Sequence, residues 1–268
     1  MAIQSFITII GRVQGQLTMF VFEKANHNFR KPILTFCFIF LIMLTLFFDN
    51  YESYAFTPKK EFGFSLFFSF FFNSSLSEWF TNAVYLYMFA DNIEDVVGHF
   101  YFFLLFLFFG ILANLTYFIS HMNSIIPIIG TSGVISGFLG MYFVFFPNVK
   151  STMVFDRASF RNVPILISLS VWILIQTYFY IVEFHNHTRS TYAGQVMTFL
   201  IGVTIAQIFI RYKFLDRLQH NIRLSTFINK TVLCPSCSNP IPAKKYGRLH
   251  CSTCNTNFFF DRHGKKFL

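Results

Sequence analysis

Two groups of residues in this sequence have the types and spacing to do chemistry. The first is the run 130–140, GTSGVISGFLG, in which Ser132 stands close between Gly130 and Gly133 at the head of an apolar segment. A serine hydroxyl so placed is a nucleophile in prospect, but at neutral pH it attacks only with a general base in hydrogen-bond reach. Read as a helix, the run sets Gly133 and Gly137 four residues apart, and Ser132, Ser136 and Gly140 likewise. Such a flank lets another helix backbone approach closely, so packing alone would also account for the small residues.

The second group is Cys234 with Cys237 and Cys251 with Cys254, two CxxC pairs. Each CxxC turn offers two sulfurs to one metal, and the second pair closes a tetrahedral Cys₄ site. With no position left for water, the metal would be a structural Zn²⁺, and a segment this small needs it in order to fold. Two disulfides are the alternative, which a reducing compartment disfavours. Asn255 suits the left-handed residue after the second turn, and Ser238 suits the first less well. Cys37, alone in an apolar run, is expected to pack.

Composition says where these groups must be held. Of 268 residues, 54% are hydrophobic and 12% charged, against about a quarter charged in soluble domains. The chain therefore reads as an all-α protein with several membrane spans. Its net charge of +9 lies wholly from Arg211 onward, residues 1–210 being balanced. A basic tail after the last span marks the cytoplasmic side, where anionic lipid attracts it. Nucleic acid is the less favoured partner for that charge.

Spans are expected near residues 32–48, 77–90, 98–119, 132–146, 163–182 and 190–210. Residues 62–77 are charge-free too, yet short and serine-rich, and are read as re-entrant or interfacial. Counting them as a seventh span would put the basic tail outside. Residues 91–95 read as an acidic end to the second span, and 150–161 as a basic loop. Residues 1–31 read as a cytoplasmic segment, with an amphipathic helix lying on the membrane. No cleavable signal sequence is expected, since residues 1–16 are mixed and Lys24, Arg30 and Lys31 precede the first long apolar segment.

The run 71–95, FFNSSLSEWFTNAVYLYMFADNIED, and the run 127–147, PIIGTSGVISGFLGMYFVFFP, together resemble the rhomboid family of intramembrane serine proteases over roughly residues 30–213. The resemblance implies that Ser132 holds the nucleophile position and Asn82 an oxyanion-binding position. It also implies a general-base histidine on the sixth helix, in a run like AHxGGFxAG. The matching run here is 194–202, GQVMTFLIG, which has Gln195 in place of that histidine. A glutamine amide cannot take the proton from serine. A second family histidine, on the oxyanion, is replaced by Glu78, whose carboxylate would repel developing negative charge unless protonated. A third is replaced by Asn73.

Loss of a base costs about 10² to 10⁴ in rate, and loss of an oxyanion donor about 10² to 10³, though the two need not add. The expected protein is a six-transmembrane-helix rhomboid-like bundle that binds transmembrane segments of client proteins without cleaving them. Its alternative is an active intramembrane serine endopeptidase with a substitute base, for which His121, His185 and His187 are the candidates. In the inactive reading Ser132 remains as a helix N-cap, with Gly133 and Gly137 packed against Gly194, Thr198 and Gly202. The expected domains are a cytoplasmic segment 1–31, a membrane domain 32–213, a linker 214–230 and a zinc ribbon 231–268 of unknown partner. Both termini are expected in the cytoplasm, with the bundle in the plasma membrane.

Overall fold

The computed structural model describes residues 19–23, 32–48, 51–59, 63–155, 158–186, 191–212, 230–243, 247–261 and 264–267. The chain divides into two compact units, Met1–Leu218 and Gln219–Leu268. His187 and the expected linker up to residue 229 lie outside the described residues, as does the side chain of His185.

The first unit is a helical bundle. Helix α1 is Ile33–Leu44, and α2 is the short turn Ser65–Phe68. Helix α3, Leu76–Tyr85, runs through a π-helical stretch, Leu86–Ala90, into α4, Asp91–Val97. Then follow α5, His99–Ser120, α6, Ser132–Phe145, α7, Ile165–Asn186, and α8, Tyr192–Arg211. Among the described residues, three segments are long and apolar enough to cross a membrane: His99–Ser120, Ile165–Val182 and Tyr192–Arg211. Ile33–Phe47 and Ser132–Phe145 are shorter apolar helices. Large apolar side chains point outward along these helices, including Phe36, Phe40, Phe100, Leu174 and Leu200. So much exposed hydrocarbon fits lipid and not water, and the chain is a membrane protein.

Helix α6 is the axis of the bundle, with nearly every residue from Gly133 to Tyr142 buried. Its closest neighbour is α8. A Cβ at Gly140 would collide with the carbonyl oxygen of Phe199, and one at Gly202 with that of Gly137. Gly133 and Gly194 depart from the expected pairing, for both face Ala113 of α5. Stacked rings fill the other side of α6, where Phe102 and Phe138 lie 4.8 Å apart and Phe38 stacks on Phe106.

Residues 63–75 do not form a long helix. The turn α2 and the 3₁₀ stretch Ser69–Phe71 together hold seven residues, about 10 Å of helix, far short of a bilayer. Phe64 is 83% exposed while Ser69 to Asn73 are buried. Asn114, in the middle of α5, holds this loop down, its Nδ2 donating to Leu66 O and Ser69 Oγ, each at 2.8 Å.

Four local expectations change. Residues 19–23 are strand β1, Met19–Glu23, not part of an amphipathic helix. They pair antiparallel with β2, Lys150–Phe155, which pairs with β3, Ala158–Pro164, so the basic loop is a hairpin completing a three-stranded sheet. Alternation in MFVFE and the β-branched residues of 150–163 favour strand. Residues 91–95 continue the helix to Val97, where Gly98 at φ 81 ends it. Cys37 is exposed on α1 and does not pack inside.

Helix α1 has no side-chain cap at Pro32. Glu94 supplies one from α4: its carboxylate accepts from Leu34 N at 2.9 Å, Thr35 N at 2.8 Å and Thr35 Oγ1 at 2.6 Å. His99 Nδ1 lies 2.5 Å from the same group. The free N–H groups and positive end of a helix dipole are what a buried carboxylate needs.

The second unit holds β4, Lys230–Leu233, paired with β5, Pro240–Ala243, and a sheet of β6, Gly247–His250, β7, Asn257–Asp261, and β8, Gly264–Phe267.

Candidate functional site

The chain reaches α6 through Gly130, whose φ of +133 suits only glycine. Thr131 then occupies the N-cap position, fully buried, with its hydroxyl donating to Phe70 O at 2.9 Å. Ser132 is the first residue inside the helix and not its N-cap, so its hydroxyl is not committed to the backbone. The submerged loop and the serine turn are thereby tied together.

Helix α8 brings Gln195 to the serine. Gln195 Nε2 donates to Ser132 Oγ across 3.3 Å. Gln195 is 7% exposed. Its backbone is pinned as well, the carbonyl accepting from Ser136 Oγ at 2.5 Å and from Thr198 Oγ1 at 3.1 Å. The small hydroxyl residues of α6 and α8 thus set the register that faces residue 195 to residue 132.

Helix α3 contributes the other side. Ser75 is its N-cap and accepts from Glu78 N at 3.2 Å, while Glu78 Oε2 accepts from Ser74 N at 2.9 Å. This is close to a capping box, shifted back by one residue, and it gives Glu78 a structural job at the positive end of the helix. A Cβ at Gly130 would lie 2.8 Å from Glu78 Oε1 and 3.8 Å from Ser132 Oγ, so the two oxygens flank one point. One turn on, Asn82 Nδ2 donates to Asn73 Oδ1 at 2.7 Å, both residues being buried. The structure therefore brings Gln195 to Ser132 and Glu78 to the neighbouring Gly130, and pairs Asn82 with Asn73. His121, at the end of α5, stacks on Tyr117 with ring centres 4.9 Å apart.

In the second unit, Cys234, Cys237, Cys251 and Cys254 point to one centre, their sulfurs all within 4.8 Å of one another. Cys234 Sγ lies 3.5 Å from Cys254 Sγ, and Cys237 Sγ 3.6 Å from Cys251 Sγ. Ligands on a tetrahedral zinc with bonds of about 2.3 Å stand about 3.8 Å apart, so the set fits such an ion. All four are free thiols. The two turns are built alike: Cys234 N donates to Asn239 O and Cys251 N to Thr256 O, each at 2.9 Å. Ser238 at φ 56 and Asn255 at φ 60 take the left-handed conformation after each turn. The Cys254 N–H draws the Cys251 thiol down to about 6, although burial opposes it. Cys237 receives the Asn239 N–H but is pushed up to about 12 by the sulfurs around it, Cys254 foremost. Four sulfurs this close cannot all ionise unless a cation joins them.

What the sequence did not reveal is the Glu94 cap on α1 and the Asn114 strut beneath the loop. Glu94 stood in an acidic cluster that resembled a span's end. Only the uncapped Pro32 start of α1 hinted that its donors needed a partner.

A family model described as Rhomboid domain matches residues 60–212, more than half of the chain. The chain belongs to the rhomboid family. A second model, a domain of unknown function (DUF8512), matches residues 231–268. No curated protein matches the chain.

Proposed function

We propose that this rhomboid-family membrane protein is a pseudoprotease, which receives transmembrane segments of client proteins without cutting them. The observation that carries the reading is the Gln195 amide donating to Ser132 Oγ at 3.3 Å. A donor on that oxygen draws electron density away from it, and among the described residues no other group hydrogen-bonds to it to take its proton. Glu78, whose carboxyl accepts from Ser74 N, adds an acceptor and not a donor where the reaction would build negative charge. Helix α6 holds 14 residues, about 21 Å against a hydrocarbon core of about 30 Å, a shortfall that supports a Ser132 end lying below the outer surface, within reach of a client helix.

Six spans complete the proposal: α1, α3 with α4, α5, α6, α7 and α8. Both termini then lie on one side, and the basic tail makes that side cytoplasmic, with the bundle in the plasma membrane. The second unit is a zinc ribbon in which Cys234, Cys237, Cys251 and Cys254 hold a structural Zn²⁺ that fixes its two turns. Its binding partner is a protein or the anionic membrane surface in preference to nucleic acid.

The test is labelling of the purified protein with a fluorophosphonate probe beside an active rhomboid protease. No labelling of Ser132 is expected. Labelling that Ser132→Ala abolishes would establish the endopeptidase instead.

A further inference from the structure

The three-stranded sheet of the second unit has two unlike faces. Its register sets Arg248 opposite Phe259 and Phe259 opposite Lys266, so the three residues form one row across β6, β7 and β8. Neighbouring strands stand about 4.8 Å apart, which makes the row about 10 Å long, with the aromatic residue between two cations. Residues alternate in face along a strand, so His250 belongs with this row, while Leu249, Phe258, Phe260, Lys265 and Phe267 belong with the other face. His250 is exposed, and the next residue, Cys251, is wholly buried in the cluster of four sulfurs. His250 thus marks the face of the row as the outer one. Asp261, two residues beyond Phe259, brings one acid to the same face at its hairpin end.

Outside its cysteines, the stretch 231–268 carries six Lys and Arg against Asp261 alone. A basic surface of this kind seeks an anionic partner, and lipid headgroups and nucleic acid both qualify. Single-stranded nucleic acid is read by stacking successive bases on several aromatics, whereas this row offers one. A phosphate layer over an apolar one is what an aromatic residue flanked by cations fits. The connection to the bundle favours lipid too. Helix α8 is long and apolar enough to cross a membrane and ends at Arg211, and β4 begins at Lys230. The 18 residues between them can extend about 65 Å at most, so a bilayer surface is always at high effective concentration.

We propose that this face of the sheet docks on an anionic bilayer, with Arg248 and Lys266 on lipid phosphates and Phe259 at the apolar edge of the headgroup layer between them. The proposal rests on the zinc-ribbon reading and selects the lipid surface among the partners left open there.

The test uses the full-length protein in nanodiscs of neutral phosphatidylcholine. These are offered vesicles of phosphatidylcholine alone or with about 30% phosphatidylserine, and capture is read by flotation. Capture is expected only by the anionic vesicles, and it should fall as salt rises. R248Q with K266Q is expected to weaken it about twentyfold, at about fivefold per cation. K244Q with K245Q removes the same charge elsewhere in the ribbon and should cost about threefold at most. F259A changes no charge and should still cost about fivefold. Equal losses from the two charge pairs overturn the proposal, by reducing it to net charge. Binding of single-stranded RNA without capture by vesicles overturns it as well. Zinc is counted in every preparation: a zinc-free wild type sinks the ribbon reading itself, while a zinc-loaded wild type indifferent to phosphatidylserine sinks the docking face alone. If F259A loses its zinc, the comparison of the two charge pairs decides.

Discussion

Gln195 Nε2 gives a hydrogen bond to Ser132 Oγ at 3.3 Å, so the residue placed where a base would act is a donor to the serine. The two residues lie 63 apart in sequence, and their helices hold the arrangement through contacts with no room for a larger side chain at Gly140 or Gly202. The packing that faces residue 195 to residue 132 thus has a glutamine, not a histidine, at the position it presents.

That packing makes a prediction about stability. Gly140→Ala places a methyl against the Phe199 carbonyl, and Gly202→Ala one against that of Gly137. The obstacle in each case is backbone, which cannot swing aside as a side chain can. Each substitution is expected to destabilise the bundle by about 1–3 kcal/mol, read as an earlier thermal transition in detergent. Gly130 differs in kind, since its φ of +133 is lost to any L-residue whatever the space. A Gly140→Ala protein as stable as wild type would show that α6 and α8 do not depend on this contact.

Glu94 is expected to matter as much as any core residue. It is 1% exposed and satisfies three donors on α1. Glu94→Ala leaves Leu34 N, Thr35 N and Thr35 Oγ1 without a buried partner, at a cost of about 3 kcal/mol or more. Thr35→Val removes one donor of the set and should cost less, about 1 kcal/mol. If the two variants melted alike, the cap would not be what anchors α1.

Much of this was legible in residues 71–95 and 127–147, because the glycines, Asn82 and Ser132 keep their spacing whatever the chemistry has become. The opposition of residues 195 and 132 followed from matching the run 194–202 to the family's sixth-helix run. The two cysteine turns were legible for a similar reason, since CxxC is a local geometry. Glu94 and Asn114 were not, for each acts on a segment about 45 to 60 residues away and leaves no periodic trace. Strand β1 was hidden because its five residues need β2, more than 120 residues later, to become a sheet.

The isolated ribbon unit is expected to bind one Zn²⁺ per chain, and a chelator should unfold it. Protons compete with the metal for the thiolates, so apparent affinity falls as pH drops. Cys237, pushed up to about 12, must shed a proton throughout that fall, and Cys251, drawn down to about 6, adds its own only at the acid end, so the loss is steepest below about pH 6. Cys237→Ser is expected to weaken binding by at least tenfold in a competition titration. Metal analysis that returned no zinc from the full chain would remove the site.

Repair of the chemistry is the hardest test. Gln195→His puts a base on α8 at a position already facing Ser132, but leaves Glu78 Oε1 beside Gly130, where the developing oxyanion would meet it. The single change is therefore expected to give little labelling by a fluorophosphonate probe. Glu78→His with Gln195→His removes the anion and supplies a donor as well as a base. It also strips Ser74 N of its acceptor, a loss of about 1 kcal/mol at the start of α3 that the bundle should survive. Detectable labelling, abolished by Ser132→Ala, is expected from the double variant. The separation of 3.3 Å at present is slightly beyond the span of about 2.6–3.2 Å over which a base takes a proton. The imidazole must close that gap, and an error of about 1 Å would cost about a hundredfold. If the folded double variant stays unlabelled while the single variant is labelled, Glu78 does not act on the oxyanion side at all.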